Sequence, residues 1–330
     1  MSSLLEIDGL SVEFRMAEGA IRAVSDVSID VKRGEVIALV GESGSGKSVT
    51  ALAILRLIPE PPGRITAGRV RFDGRDLLKL DEEGIRKVRG RRIGMVFQEP
   101  MTSLNPVLSI GRQITEAMQT HLGLASTAAH DRAIELLDMV GIAEPERRLT
   151  QYPHHLSGGM RQRAMIAMAL SCKPELIIAD EPTTALDVTI QAQILHLMQG
   201  LCRRLDVALM IITHNLGVVA RYADRVNVMY AGRVVEQAPA AEIYRNPSHP
   251  YTIGLLNSVP RLDRPRRVAL DPIPGNPPDP LALPSGCAFR PRCSWAVPRC
   301  ADEVPPLYGV AAAHGSACFE LHRLREKVPA

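Results

Sequence analysis

The stretch GESGSGKS, Gly41 to Ser48, combines glycines, a lysine and a serine at the spacing that polyphosphate binding requires. It follows the apolar run EVIALV and precedes the helical pattern VTALAILRL. In that setting Gly41, Ser43, Gly44 and Gly46 let the backbone curl, so that its N–H groups turn inward onto phosphate oxygens. The first turn of the following helix, which holds Val49, adds its positive end. Lys47 is suited to reach the β- and γ-phosphates, and the Ser48 hydroxyl to ligate Mg²⁺.

Two further groups can act on the same substrate. LIIADEP (Leu176 to Pro182) reads as a buried strand that ends in two acids. Carboxylates there lie at the carboxyl edge of a sheet, where open α/β folds bind ligands. Asp180 is suited to hold Mg²⁺ through water, and Glu181 to orient and polarise an attacking water. His214 follows the strand ALMIIT at the same kind of edge and is a candidate contact for the γ-phosphate. In HHLSGGMRQRAMIAMAL (His154 to Leu170), Ser157, Gly158 and Gly159 directly precede an amphipathic helix, which makes a second anion-binding N-terminus. One nucleotide site has no internal use for two phosphate cradles, so the second is expected to serve a partner's nucleotide.

The elements that must position these residues alternate between short apolar runs and longer helical patterns. EVIALV, RIGMVF, ELIIAD and VALMIIT read as buried strands of a substantially parallel sheet. LLEIDGLSVEF and AVSDVSIDV alternate in polarity and read as antiparallel, half-exposed strands. From about residue 99 to 160 helices dominate. One is predicted with Ser126 as N-cap, Ala133, Leu136, Leu137 and Val140 as its apolar stripe, and Gly141 closing it. After Asn246 the texture changes to proline-rich loops such as NPPDPLALP. The expected division is therefore 1–246 and 247–330.

Composition narrows the partners. The 330 residues are 46% hydrophobic and 23% charged, with a formal net charge of +3. That charge is too small to argue for nucleic acid, and the basic run RKVRGRR (Arg86 to Arg92) reads as a solvated face. No apolar run approaches the roughly 20 residues needed to span a bilayer. MSSLLEIDGL has neither the basic start nor the apolar centre of a signal peptide, so a reducing cytoplasm is expected.

With these residues in view, the chain resembles the ATP-binding subunits of ABC transporters over about Leu4 to Asn246. GESGSGKS looks like Walker A, LSGGM like the signature motif, LIIADE like Walker B, TALD like the D-loop with Asp187, and ITH like the switch-histidine loop. FQEP carries the counterpart of the Q-loop glutamine, Gln98, which the resemblance adds to the Mg²⁺ site and the catalytic group with Glu181 and His214. Phe14 occupies the position of the aromatic that stacks on adenine; a core strand residue is the equal alternative. Met160 stands where most of the family has glutamine. FQEPMTSLNP and the tripeptide His249, Pro250 and Tyr251 in NPSHPYTIGLL are similar to the dipeptide/oligopeptide and nickel importer branch. The resemblance implies an ATP- and Mg²⁺-dependent ATPase on the cytoplasmic face of the membrane. It also implies two permease subunits, a second ATPase subunit and an extracytoplasmic peptide-binding protein. A nickel importer ATPase or a non-transport ABC ATPase are the alternatives.

Four of the six cysteines, Cys287, Cys293, Cys300 and Cys318, crowd into the C-terminal segment with the spacing C-x₅-C-x₆-C-x₁₇-C. In a reducing compartment a pair of disulfides is a poor explanation. Zinc usually shows tight C-x₂₋₄-C pairs, which are missing, and an iron–sulfur cubane tolerates wider spacing. From the residues alone cubane, zinc and unligated thiols stay open. The resemblance to importer ATPases with such an extension implies a [4Fe–4S] cluster that fixes the loops. Cys172 and Cys202 read as ordinary buried thiols.

Overall fold

The structure is a computed structural model that describes residues 3–183, 187–219, 221–258 and 272–327. Its first half runs β1 (Ser3–Met16), β2 (Gly19–Lys32), β3 (Val36–Val40), α1 (Lys47–Ile54), β4 (Gly63–Phe72), β5 (Arg75–Asp76), α2 (Glu82–Arg86) and β6 (Ile93–Val96). A helical run follows: α3 (Pro100–Ser103), α4 (Ile110–Leu122), α5 (Ser126–Met139), α6 (Pro145–Leu149) and α7 (Gly158–Leu170). Then come β7 (Leu176–Asp180), α8 (Val188–Arg204), β8 (Ala208–Thr213), α9 (Leu216–Val219), β9 (Arg225–Tyr230), β10 (Arg233–Pro239) and α10 (Ala240–Arg245). The C-terminal segment holds α11 (Pro250–Asn257), α12 (Arg299–Asp302), β11 (Tyr308–Ala311), β12 (His314–Ser316) and α13 (Leu321–Lys327). These elements form two compact units. One comprises Met1–Leu4, Val31–Val36 and Asp76–Ile212; the other comprises Leu5–Asp30, Ile37–Arg75 and Thr213–Ala330.

In the first unit β6 and β8 flank β7, and both pairings are parallel. Every residue of LIIAD in β7 is buried, as expected of a parallel strand covered on both faces. The stretch expected to be helical is so. Within it α5 packs on α4, α6 and α7, and its Ala133, Leu136 and Leu137 are buried. Its start differs from expectation: Ser126 is the first helical residue, and Ala125 takes the cap position with no side-chain cap bond. The serine lies one residue too far along for its hydroxyl to serve the first free N–H groups. The basic run is a solvated, ion-paired surface. Arg89 pairs with Glu82 at 2.8 Å, and Arg92 and Arg33 both pair with Glu175 at 2.6 and 2.7 Å, at the foot of β7.

The second unit contains the antiparallel sheet β2-β1-β4-β5 and the strand run β11-β12-β10-β9-β3. β1 buries Leu5, Ile7, Leu10 and Val12, and a register shift between Asp8 and Ser11 interrupts the expected alternation. β3 lies parallel to β9, with Val40 opposite Val228, while β10 runs antiparallel to β9. β12 then pairs with β10, Glu236 opposite Ser316, so the C-terminal segment is stitched into this unit by backbone hydrogen bonds. Val228, Tyr230, Ile243, Tyr251 and Phe289 share one buried cluster, which draws on both sides of the expected boundary at residue 246.

Candidate functional site

The loop Gly41–Gly46 joins the wholly buried β3 to α1. Its glycines are dictated by space and backbone. A Cβ on Gly41 would lie 2.2 Å from the Met229 carbonyl oxygen. Gly46 has φ +98°, and a Cβ there would lie 2.5 Å from the Ala23 oxygen. Gly46 is the N-cap of α1 and offers no side chain to its first N–H groups, the arrangement that an anion completes. Lys47 is buried, and its ammonium donates to the Gly41 oxygen (2.8 Å), the Glu42 oxygen (2.9 Å) and Ser45 Oγ (3.3 Å). A cation bent over a ring of backbone groups fits a phosphate chain. Ser43 and Gly44 are exposed at the loop tip, and Ser48 and Val49 are half-buried in the first turn of α1. Phe14 is also half-buried; it stands opposite Gly63, whose absent side chain leaves room for the ring. His214 is exposed just beyond β8.

In the other unit Asp180 ends β7 and is buried. Glu181 follows it with φ +43°, a left-handed conformation that a glutamate adopts only under constraint. The Glu181 N–H donates to the Ile212 oxygen at 2.9 Å, which holds the turn. Gln98, exposed just after β6, donates from Nε2 to Glu181 Oε2 at 3.3 Å. The fold therefore brings together two candidates read 83 residues apart. Ser157 caps α7, its Oγ accepting from Met160 N at 3.4 Å, and Ser157 and Gly158 are exposed. Asp187 is the exposed N-cap of α8; Thr184, Ala185 and Leu186 lie outside the described residues.

The tripeptide His249-Pro250-Tyr251 has a local explanation. His249 caps α11, its Nδ1 accepting from Tyr251 N at 3.1 Å, and Pro250 takes the first helical position, where it gives up no hydrogen bond. Tyr251 then passes through the core, and its hydroxyl accepts the N–H of Glu42 at 2.8 Å. Burial keeps His249 neutral, pushing its pKa down to about 3. A second node lies beneath. Glu236, fully buried, accepts from Ser248 N (2.6 Å) and His249 N (3.0 Å) and meets His314 Nε2 at 2.8 Å. Nothing in the sequence singled out Glu236, His314, Glu42 or Arg292. Each is an ordinary charged residue whose partner is distant along the chain.

All four C-terminal cysteines line one small apolar cavity of about 20 Å³, beside Phe289, Trp295 and Phe319. Their loops are held back to back, with Cys287 N donating to the Cys300 oxygen at 2.9 Å. Burial raises the Cys287 thiol and pushes Cys293 up to about 11 and Cys318 up to about 12. Burial thus favours the protonated form of these three thiols, a form that a bound metal would displace. Among the described residues no three or more His, Cys, Asp or Glu side chains converge tightly enough to hold a metal ion. Cys172 and Cys202 are buried, as expected, and burial pushes Cys202 up to about 12.

Comparisons with known proteins place the chain among its relatives. Residues 24–184 match the ABC transporter family model, and residues 235–300 match the oligopeptide/dipeptide transporter C-terminal region. A protein of Brucella melitensis whose name describes a peptide import ATP-binding protein is 57% identical, with 96% of each chain covered. The oligopeptide transport ATP-binding protein OppD of Bacillus subtilis is 50% identical over 99% of this chain and 92% of its own. OppD of Salmonella typhimurium is 48% identical over 96% of this chain and 93% of its own. The dimeric post-hydrolysis structure of the cassette MJ0796 with ADP and Pi is similar at a TM-score of 0.64 and 29% identity. That match covers 72% of this chain and 98% of the other.

Proposed function

The chain belongs to the ABC transporter ATP-binding proteins, in the branch with the oligopeptide/dipeptide C-terminal region, and we propose that it powers import of di- or oligopeptides. The observation that carries this reading is the continuity of likeness: relatives named for peptide import or oligopeptide transport align over 96% or more of the chain. In this reading residues 1–246 are the cassette, with its helical subdomain at about 99–160, and 247–330 are the extension. Gly41, Ser43, Gly44, Gly46, Lys47, Ser48 and Val49 cradle the ATP phosphates, and Phe14 meets the adenine. Ser48, Gln98 and Asp180 hold Mg²⁺, which when bound neutralises charge on the transferring phosphate. Glu181, aimed by its bond from Gln98, takes the proton of the attacking water, and His214 contacts the γ-phosphate. Ser157 and Gly159 of one subunit complete the site of a second.

Among the described residues no helix is long and apolar enough to cross a membrane. Coupling to transport therefore calls for separate membrane subunits: two permeases above a pair of ATPases at the cytoplasmic face, with substrate delivered by an extracytoplasmic binding protein. We read the four-cysteine cavity as the seat of a [4Fe–4S] cluster held by Cys287, Cys293, Cys300 and Cys318; zinc is the alternative. What supports the reading is that all four thiols line one apolar cavity. Its role is structural, fixing loops that lack an extensive apolar core of their own.

Purification from native membranes tests the assignment. Recovery of two membrane partners, with ATP turnover stimulated by a peptide-loaded binding protein, is expected. Stimulation by nickel alone would move the chain to the nickel branch, and full turnover with no membrane partner would reject transport.

A further inference from the structure

We propose that Arg292 and Tyr251, both in the C-terminal segment, are positioning residues for the ATP loop and act on it through Glu42. Glu42 is the second residue of GESGSGKS, and a carboxylate there is an awkward neighbour for a polyphosphate. Its charge is met by a two-pronged pair: Arg292 Nη1 to Oε2 at 2.7 Å and Nη2 to Oε1 at 3.0 Å. The guanidinium is preset for this task. Its side chain is 5% exposed, its Nε donates to the Pro274 oxygen at 3.0 Å, and it lies 5.9 Å from the Tyr230 ring centroid. The backbone of Glu42 is gripped by the same segment, because its N–H goes to the Tyr251 hydroxyl. Tyr251 is itself fixed by Tyr230 at 4.6 Å and Phe289 at 5.4 Å between ring centroids.

The connection continues into the phosphate cradle. The Glu42 carbonyl, between those two anchors, accepts from the Lys47 ammonium at 2.9 Å. Arg292 therefore does two things. It fixes the peptide that aims Lys47, and it prevents the Glu42 carboxylate from competing with phosphate for that lysine. Arg292 immediately precedes Cys293 in a short helical turn, so an ordered cysteine segment is what presents it. The inference rests on the reading of Gly41–Ser48 as the ATP loop, and not on what the four thiols hold.

The test uses the full-length chain, with Mg·ATP binding measured directly and turnover measured in the assembled transporter. Arg292→Met is expected to raise the ATP Kd at least about tenfold while kcat at saturating ATP stays within about threefold. Tyr251→Phe is expected to weaken binding several-fold. The double variant Glu42→Gln/Arg292→Met should bind ATP more tightly than Arg292→Met, since the stranded carboxylate is gone. A role confined to stability would give no such rescue. A folded Arg292→Met chain with an ATP Kd within about twofold of wild type would overturn the proposal. So would a double variant no better than the single. If Arg292→Met does not fold, Arg292→Lys takes its place, because it loses the second prong; unchanged affinity would again reject the strut. Lys47→Ala separates the two levels. Loss of ATP binding there with no effect at Arg292 sinks this inference alone, whereas undiminished binding in Lys47→Ala sinks the loop reading itself.

Discussion

Glu181 combines a left-handed backbone, an amide tied to Ile212 and a side chain held by Gln98, a costly conformation kept where a carboxylate must be aimed. Glu181→Gln preserves the shape and removes the proposed base. ATP turnover of the assembled transporter is expected to fall by at least about 10²–10⁴-fold with ATP affinity within a few-fold of wild type. Turnover close to wild type would remove Glu181 from the proton transfer. At Gly46 the argument is steric: a methyl group would meet the Ala23 oxygen at 2.5 Å in a backbone conformation that L-residues avoid. Gly46→Ala should cost about 1–3 kcal/mol of local strain and greatly weaken ATP binding, as denaturant unfolding and nucleotide titration would show.

Among the elements, β12 and α11 matter most because they tie the C-terminal segment to β10. Their shared anchor is Glu236, which receives two backbone N–H groups and faces His314 in a site closed to water. Glu236→Gln would turn an amide NH₂ toward donors that need an acceptor. A loss of about 2–4 kcal/mol is expected, seen as early proteolysis in the C-terminal segment. Full resistance in that variant would show that the node is not an anchor. The cysteine loops make the complementary case. If they enclose a cubane, anaerobically prepared protein should be brown and carry about four irons per chain, and Cys293→Ser should lose colour and soften the same segment. Colourless protein with one zinc would replace the cluster, and protein with no metal after anaerobic preparation would leave unligated thiols.

At the scale of the molecule, the exposed Ser157 and Gly158 at the start of α7 form a phosphate cradle with no nucleotide loop of its own. In the proposed reading subunits act in pairs, each loop Gly41–Ser48 being completed by the other chain's Ser157 and Gly159. The isolated chain should therefore hydrolyse ATP slowly, and Glu181→Gln should associate when Mg·ATP is added, as light scattering would reveal. Full turnover by a strict monomer at high dilution would contradict the composite site.

The sequence by itself determined whatever depends on neighbours a few residues apart. GESGSGKS, LIIADE and LSGGM are local devices, in which a curl of glycines, a strand end and a helix start each act over one turn of chain, so their chemistry could be read directly. The same holds for β3, β6, β7 and β8, whose unbroken apolar runs are the mark of buried parallel strands. Tertiary structure decided what depends on meetings across long separations. No periodicity announces that Arg292 will close on Glu42, 250 residues earlier, or that Glu236 will meet His314. Such pairs are selected by burial, which removes water as the competing partner and makes an unpaired charge costly. The cysteines show both halves: their number and spacing suggested a ligand, but only the fold gathers them around one cavity.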